Sequence, residues 1–111
     1  MWVKFDDSMP DDPDVDRLTH GAFRLYVAAI CYAQKHLTDG FVDADRVTRL
    51  MRQYRPTYLT ELVTVGLFSD SLPDGYTIRN FTKWNKTRAH WKREKEKAAQ
   101  RKAKWKEGQN A

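Results

Sequence analysis

The fold is decided by residues 57–81, which read TYLTELVTVGLFSDSLPDGYTIRNF. Leu59 and Leu62 recur at helical spacing, so residues 57–65 are predicted to form a helix with one apolar face. Gly66 is predicted to end that helix, because a helix C-terminus favours a residue that tolerates positive φ. This segment therefore begins with a short amphipathic helix and a sharp stop.

A β-hairpin is predicted to follow this helix. Residues 67–69 and 76–79 have strand character, and Pro-Asp-Gly at 73–75 is strong turn chemistry between them. A helix followed directly by a hairpin is the core of a winged helix-turn-helix, which commonly places the helix in a DNA groove. The predicted fold class is thus α+β, mainly α, with three helices and a small hairpin wing.

The core is predicted to be built around a long helix that begins at Thr19 and ends at residues 39–40, Asp-Gly. One apolar face runs along it, and its members are Phe23, Tyr26, Val27, Ile30, Ala33 and Leu37. Residues 41–42 are predicted to add a third strand beside the hairpin.

A second helix is predicted from its cap at Asp43 to about Gln53, with Val47, Leu50 and Met51 facing inward. Four arginines recur along its outer surface every three residues: Arg46, Arg49, Arg52 and Arg55. They fit either an ordinary solvated helix face or a set of phosphate contacts beside the third helix. The absence of acidic residues between Arg46 and Pro56 favours phosphate contacts slightly.

The N-terminal residues are predicted to support the core. Residues 2–5 are strand-like, with Trp2 and Phe5 as candidate anchors. The acidic stretch that follows contains Asp12 and Pro13, a good start for one helical turn. Its alternating aspartates do not fit a calcium loop, since Arg17 and Phe23 occupy the positions that require Gly and Glu. A solvated acidic edge is the favoured interpretation, and attraction of the basic C-terminal residues by this edge is an open alternative.

The outward face of the helix at 57–65 is predicted to carry Tyr58, Thr60, Glu61 and Thr64. It has hydroxyls and one carboxylate but no Arg, Asn or Gln, the usual readers of base edges. Strong sequence specificity is therefore not expected.

The composition predicts one domain, because 111 residues bury only a modest core. Cys31 is the single cysteine, which excludes an internal disulfide, and its apolar helical context predicts a buried structural thiol. The sequence has neither a signal-peptide pattern nor an apolar run of membrane-spanning length, and with its single cysteine a reducing, cytosolic location is expected.

The basic charge belongs to the C-terminal part. Residues 81–111 contain 11 Lys/Arg against 3 Asp/Glu, whereas residues 1–80 contain 9 against 12. The predicted division is a winged-helix domain at 1–85 and a basic tail at 86–111, which is helical or disordered when free. Trp91 and Trp105 interleave with the charges, a pattern typical of nucleic-acid backbone contact, with indoles available for stacking on unpaired bases.

A tail coiled coil is disfavoured. Trp84, Trp91 and Trp105 are spaced by multiples of seven, but the positions three residues later lack a second apolar column. We expect the near end of the tail to pack on the domain through Trp84, and through Trp91 at most.

The residue pattern resembles a group of winged-helix proteins of actinobacterial phages and prophages, described as helix-turn-helix or replication-initiation proteins. The resemblance lies in residues 2–7, 22–26, 37–42, 61–63, 66–68, 75–78 and 81–84. It implies a replisome-organiser-like N-terminal domain that binds phage DNA. Larger members carry a further domain that engages a helicase or its loader, and here a basic tail follows. This departure favours a small accessory or regulatory DNA-binding protein, and the resemblance implies a location in the host bacterial cytoplasm, associated with the nucleoid.

The first functional hypothesis is a phage-type winged-helix nucleic-acid-binding protein that is accessory to DNA replication or regulation. Duplex DNA is favoured over single-stranded DNA as its partner, and a phage or host replication protein is a further candidate partner. The predicted contacts are Arg49, Arg52, Arg55, Tyr58, Thr60, Thr64, Arg79, Lys83, Lys86, Arg88, Lys92, Arg93, Lys95 and Lys97.

The alternative is a protein-interaction module that binds a host or phage protein, with the winged helix as a docking scaffold. An enzyme is disfavoured, because the sequence has no metal-ligand spacing, P-loop or dinucleotide fingerprint. No cofactor and no metal are predicted.

Overall fold

The computed structural model describes residues 2–71, 73–85 and 87–110. The chain is α+β and mainly helical, with one three-stranded antiparallel sheet, which confirms the predicted class and is compatible with a winged helix. A 3-10 turn, Met9–Asp11, comes first. The regular elements are then α1 Pro13–Asp16, α2 His20–Lys35, β1 Phe41–Asp43, α3 Ala44–Val47, α4 Pro56–Thr64, β2 Phe68–Ser71, β3 Gly75–Ile78, α5 Phe81–Trp84 and α6 Arg88–Asn110.

The sheet has the order β1-β3-β2, with the predicted hairpin forming two of its strands. Phe68 pairs with Ile78 in the hairpin, and Phe41 pairs with Thr77 across β1 and β3. The third strand predicted at 41–42 is therefore confirmed. Because β3 is central, its residues Tyr76 and Ile78 are buried in the core.

The core is organised around α2, whose predicted start at Thr19 is confirmed by its N-cap position. The buried face differs from the predicted one, since Phe23, Val27 and Leu37 are only half-buried. Helix α2 contacts both α4 and β1, so the buried sector is wide and includes small residues that allow close approach. Its apolar members are Ala22, Leu25, Tyr26, Ala29, Ile30 and Ala33.

Two further predictions about α2 are wrong. The helix ends at Lys35, because Thr38 N–H donates to the Ala33 carbonyl at 3.0 Å and Leu37 adopts a φ of 51°. This Schellman-type closure stops the helix before Gly40. Cys31 is exposed and not buried, since it lies about 180° around the helix from the buried Ala22.

The second predicted helix is much shorter than expected. Helix α3 is one turn and does not reach Gln53. After it, Arg49 N–H donates to the Arg46 carbonyl at 2.9 Å, and the Thr48 hydroxyl donates to the Asp45 carbonyl at 2.8 Å. These i→i−3 bonds tighten the backbone into successive turns that lead to α4.

The prediction that residues 2–5 form an anchoring strand is also wrong. These residues form neither helix nor strand, and the side chains of Trp2 and Phe5 are 91% and 41% exposed. The half-buried Val3 packs on the core in their place. The segment is held by buried Asn85, whose side chain accepts from Lys4 N–H at 2.8 Å and donates to the Lys4 carbonyl at 3.2 Å.

The C-terminal part of the chain is one continuous helix, α6, which was one of the two predicted states of the tail. Its 23 residues correspond to about 34 Å at 1.5 Å per residue. The longest dimension of the molecule is 64 Å, about twice the next, because α6 projects from the body. No helix in the described part of the chain is long and apolar enough to cross a membrane.

Candidate nucleic-acid interface

The four predicted arginines lie on a segment of turns, which we call the arginine segment and define as residues 46–55. All four side chains are exposed. The predicted inward side chains are confirmed: Val47 is buried, and Leu50 and Met51 pack on the core together with Tyr54. Burial, and secondarily Tyr76, raises the pKa of the Tyr54 phenol. The apolar side chains thus fix the segment while the four arginines remain exposed.

The arginine segment runs back alongside α2. At its start, the Arg46 guanidinium lies 5.2 Å from the ring centre of Tyr32, near the C-terminal end of α2. Just beyond its end, the ring of Tyr58 lies against Gly21 near the N-terminal end of α2. Residues 21 and 32 are about 17 Å apart along the helix axis, so the arginines are spread over this distance.

The exposed face of α4 is narrower than predicted. Thr60 and Thr64 are exposed as expected, and Thr57, which was not among the predicted contacts, joins them. Tyr58 and Glu61 are half-buried, because each has a partner on or beside α2. The Glu61 carboxylate accepts hydrogen bonds from Thr19 N–H at 2.9 Å and from the Thr19 hydroxyl at 2.6 Å. The helix therefore presents a row of three threonines without charge.

The Glu61–Thr19 contact gives the first testable prediction. Glu61→Ala is expected to lower the free energy of unfolding by about 1–2 kcal/mol, because two hydrogen bonds to a charged acceptor are lost at a partly exposed site. Glu61→Gln retains one acceptor oxygen and is expected to cost about half as much. Urea denaturation followed by circular dichroism measures both, and equal stability of all three proteins would contradict the assigned contact.

The hairpin offers few cations. No Lys or Arg occurs in residues 68–78, and Arg79 after β3 pairs with Asp14 at 3.1 Å and with Asp12 at 3.9 Å. The attraction left open between the acidic edge and the basic tail is replaced, at these two aspartates, by this pairing. Arg79 is therefore already paired with carboxylates.

Lys83, another predicted contact, is exposed on α5 near the same acidic edge. The Ser8 hydroxyl and N–H donate to Asp6 and lower the pKa of its carboxyl, with a smaller contribution from the charge of Lys83. The two predicted cations that flank the hairpin thus lie beside carboxylates.

Helix α6 is attached to the body at its first turn. The Thr87 side chain accepts from His90 N–H at 3.1 Å, as an N-cap does, and the Asp39 carboxylate accepts from Arg88 N–H at 2.8 Å. Asp39 lies in the α2–β1 loop, which also contains Gly40 against Phe81. Trp91, one turn into the helix, is 36% exposed.

The excess of positive charge is on α6, since residues 1–85 contain 10 Lys/Arg against 12 Asp/Glu. The helix carries nine Lys/Arg against three Glu, and the predicted contacts Arg88, Lys92, Arg93, Lys95 and Lys97 are all exposed. Lys97 pairs with Glu94 at 3.7 Å. Lys86 lies outside the described residues. The remaining exposed cations of the helix were not among the predicted contacts, although the continuing basic composition could have indicated them; they are Arg101, Lys102, Lys104 and Lys106.

A cavity of about 120 Å³ lies between the N-terminal segment and the body. Its floor is apolar and includes Tyr26. The pKa of the Tyr26 phenol is raised overall, because the effect of burial exceeds the opposing effect of the Arg79 charge, and Asp12 adds a smaller increase. The charges at its rim are of both signs, so it does not extend the basic surface. Among the described residues, no three His, Cys, Asp or Glu side chains are grouped as metal ligands.

Comparison of the chain with protein-family models, with curated proteins and with solved structures returned no match. The candidate interface therefore consists of two basic surfaces and a neutral one, assigned from this chain's own geometry. They are the arginine segment, α6 and the threonine row of α4.

Proposed function

We propose that this protein is a small winged-helix nucleic-acid-binding protein that binds duplex DNA mainly through contacts with the phosphate backbone of the DNA. The observation that carries the proposal is α6, a projecting helix with nine exposed cations and three carboxylates. Lysine and arginine side chains that neutralise phosphates release condensed counterions, which supplies sequence-independent affinity. The hydrogen bonds described for α6 outside its own ladder lie at its first turn, and residues 95–108 are exposed and available for this contact.

The arginine segment supports a second, orienting contact by the body. Its guanidinium groups are exposed and have no acidic residue between them in the sequence, and guanidinium forks match phosphate oxygens. The neighbouring threonine row of α4 offers hydroxyls that suit phosphate or sugar contacts. Because α4 lacks the usual base readers, the proposed binding has little sequence preference.

The resemblance of the residue pattern to phage winged-helix proteins supports placing this activity in phage DNA replication or its regulation. In that setting the protein acts as an accessory factor that holds or marks DNA. A basic helix on a small scaffold suits that role, since affinity without sequence preference allows it to act along any stretch of duplex.

The role of the body is tested by a pair of single substitutions that remove the same charge. Arg52→Gln is expected to weaken duplex binding about eightfold at about 0.1 M salt, the loss of one phosphate contact. Arg17→Gln removes an exposed arginine beside the acidic α1 and is expected to change the affinity less than twofold. Fluorescence anisotropy with a labelled duplex gives both values, and equal effects would remove the arginine segment from the proposed interface.

A second candidate function is docking on a phage or host protein, with the body as scaffold. It is favoured by the uncharged α4 face and by the scarcity of cations on the hairpin. In that case a protein partner is expected to copurify in a stoichiometric amount even after nuclease treatment. The purified protein is then expected not to bind DNA at about 0.1 M salt.

A further inference from the structure

Helix α6 has two exposed indoles on one face. Trp91 and Trp105 are 36% and 62% exposed and are 14 residues apart. At 3.6 residues per turn and 1.5 Å per residue, they lie within about 40° of each other and about 21 Å apart along the axis. Ala98 lies midway between them on the same side. We call these three residues the tryptophan face.

The charges of α6 are arranged around this face. Lys95 and Lys102 lie on one flank, each within about 60° of the face, and Arg101 lies about 40° from Trp105 on the other flank. All three are exposed. Glu96 and Glu107 lie on the opposite side of the helix, about 140–180° from the two indoles. Glu94 lies beside the tryptophan face, about 20–60° from the indoles, and pairs with Lys97 at 3.7 Å.

We propose that the tryptophan face of α6 binds unpaired bases of single-stranded nucleic acid, which stack on Trp91 and Trp105 while the flanking cations hold the backbone. The proposal rests on the proposed function and adds a target that phosphate contacts alone do not distinguish. An indole can stack only on a base whose flat face is accessible, and in a duplex these faces are covered by the neighbouring base pairs. A strand at the 3.4 Å spacing of stacked bases needs about six nucleotides to reach both indoles.

The composition of α6 favours an unpaired strand over a membrane surface or a second α6. Apart from the two tryptophans, the apolar residues of the helix are alanines, whereas a membrane-surface helix buries a broad face of large apolar side chains. A paired coiled coil needs a second apolar column, but Glu94, Arg101 and Gly108 follow the tryptophan face at the required spacing. Two separate indoles can each stack on one unpaired base, while the cations beside them contact the phosphates of the same strand.

The decisive test compares a 15-nucleotide oligo(dT) with a 15-base-pair duplex at 0.1 M salt, using the full chain. Trp105→Leu keeps an apolar, helix-forming side chain but removes the stacking surface. It is expected to weaken oligo(dT) binding about tenfold, within the range known for one stacked base, and to change duplex binding less than twofold. Trp2→Leu is the matched control, because the Trp2 side chain is 91% exposed and lies outside α6; it is expected to change neither affinity.

Several results would overturn the proposal. One is an equal loss on both nucleic acids for Trp105→Leu, and another is no loss on oligo(dT). A loss of the same size for Trp2→Leu would also overturn it. If the wild-type chain binds the duplex but not oligo(dT), this inference fails while the proposed function stands. If it binds neither, the proposed function fails as well.

A second pair of variants tests the sidedness of α6. Lys102→Gln removes a cation beside the tryptophan face, and Arg93→Gln removes one about 120–160° away from the two indoles. The first is expected to weaken oligo(dT) binding at least threefold more than the second, and equal effects would contradict a sided interface. Vesicles containing anionic lipid are the remaining probe: a blue shift of tryptophan emission with vesicles but not with oligo(dT) would assign the face to membranes instead.

Discussion

Replacing Lys92, Lys95 and Lys102 with glutamine is expected to weaken duplex binding about 500-fold at about 0.1 M salt. The three side chains are exposed and lie within about 80° of one another around α6, so one DNA backbone can meet all of them. Each lost phosphate contact costs close to a factor of eight at this salt concentration. Glutamine retains the helix propensity of lysine, so the fold is expected to be unchanged.

The matched control for this variant removes three charges from the body. Arg17, Arg24 and Lys35 are exposed on or beside α1 and α2, and their replacement by glutamine lowers the net charge by the same amount. We expect less than a fivefold loss of affinity for this control. If both triple variants lose equally, net charge governs binding and α6 has no special role.

Gly75→Ala is expected to lower the free energy of unfolding by about 3 kcal/mol or more, the largest stability effect we predict. Gly75 begins β3 and is buried opposite Asp43 of β1. A Cβ atom at this position would lie 2.2 Å from the Val42 carbonyl oxygen and 3.0 Å from the Asp43 Cα. Both are backbone atoms of a paired strand, so relief of the overlap requires β1 to move away from β3.

The control for this substitution is Gly108→Ala in α6, where an added Cβ meets nothing within 4 Å. Alanine is favoured over glycine inside a helix by about 1 kcal/mol, so this variant is expected to be at least as stable as the parent. Urea denaturation, followed by circular dichroism at several wavelengths, gives the free energy of unfolding of both variants and of the parent. A Gly75→Ala protein within 1 kcal/mol of the parent would contradict the tight β1–β3 approach.

The elements that the sequence predicted well are those encoded by neighbouring residues. Helix α4 and its glycine stop, the hairpin with its Pro-Asp-Gly turn, and the N-cap at Thr19 all depend on contacts within a few positions. The charge of α6 and the spacing of its tryptophans are also properties of the sequence alone. These features required no knowledge of the tertiary structure.

The wrong predictions concern residues whose structure depends on a partner far away in the sequence or on an alternative local hydrogen-bond pattern. Glu61 has the pattern of an exposed residue, yet Thr19, 42 positions away, provides two donors for it. Arg79 was expected to be available for DNA, but its partner Asp14 is 65 positions away. Helix α3 was extended by periodicity that continues to position 53, whereas hydrogen bonds at Thr48 and Arg49 close it into turns. Such pairings are not encoded in spacing.

The central claim is that α6 binds nucleic acid through its cations, and the salt dependence of duplex affinity tests it most directly. Anisotropy titrations of the wild-type chain at salt concentrations from about 50 to 300 mM give the association constant K for the duplex, and log K is then plotted against the logarithm of the salt concentration. We predict a linear decrease with a slope of about −3.6 to −4.5, which corresponds to four or five neutralised phosphates at about 0.9 per contact. A slope shallower than about −1, or no binding at the lowest salt, would contradict the claim.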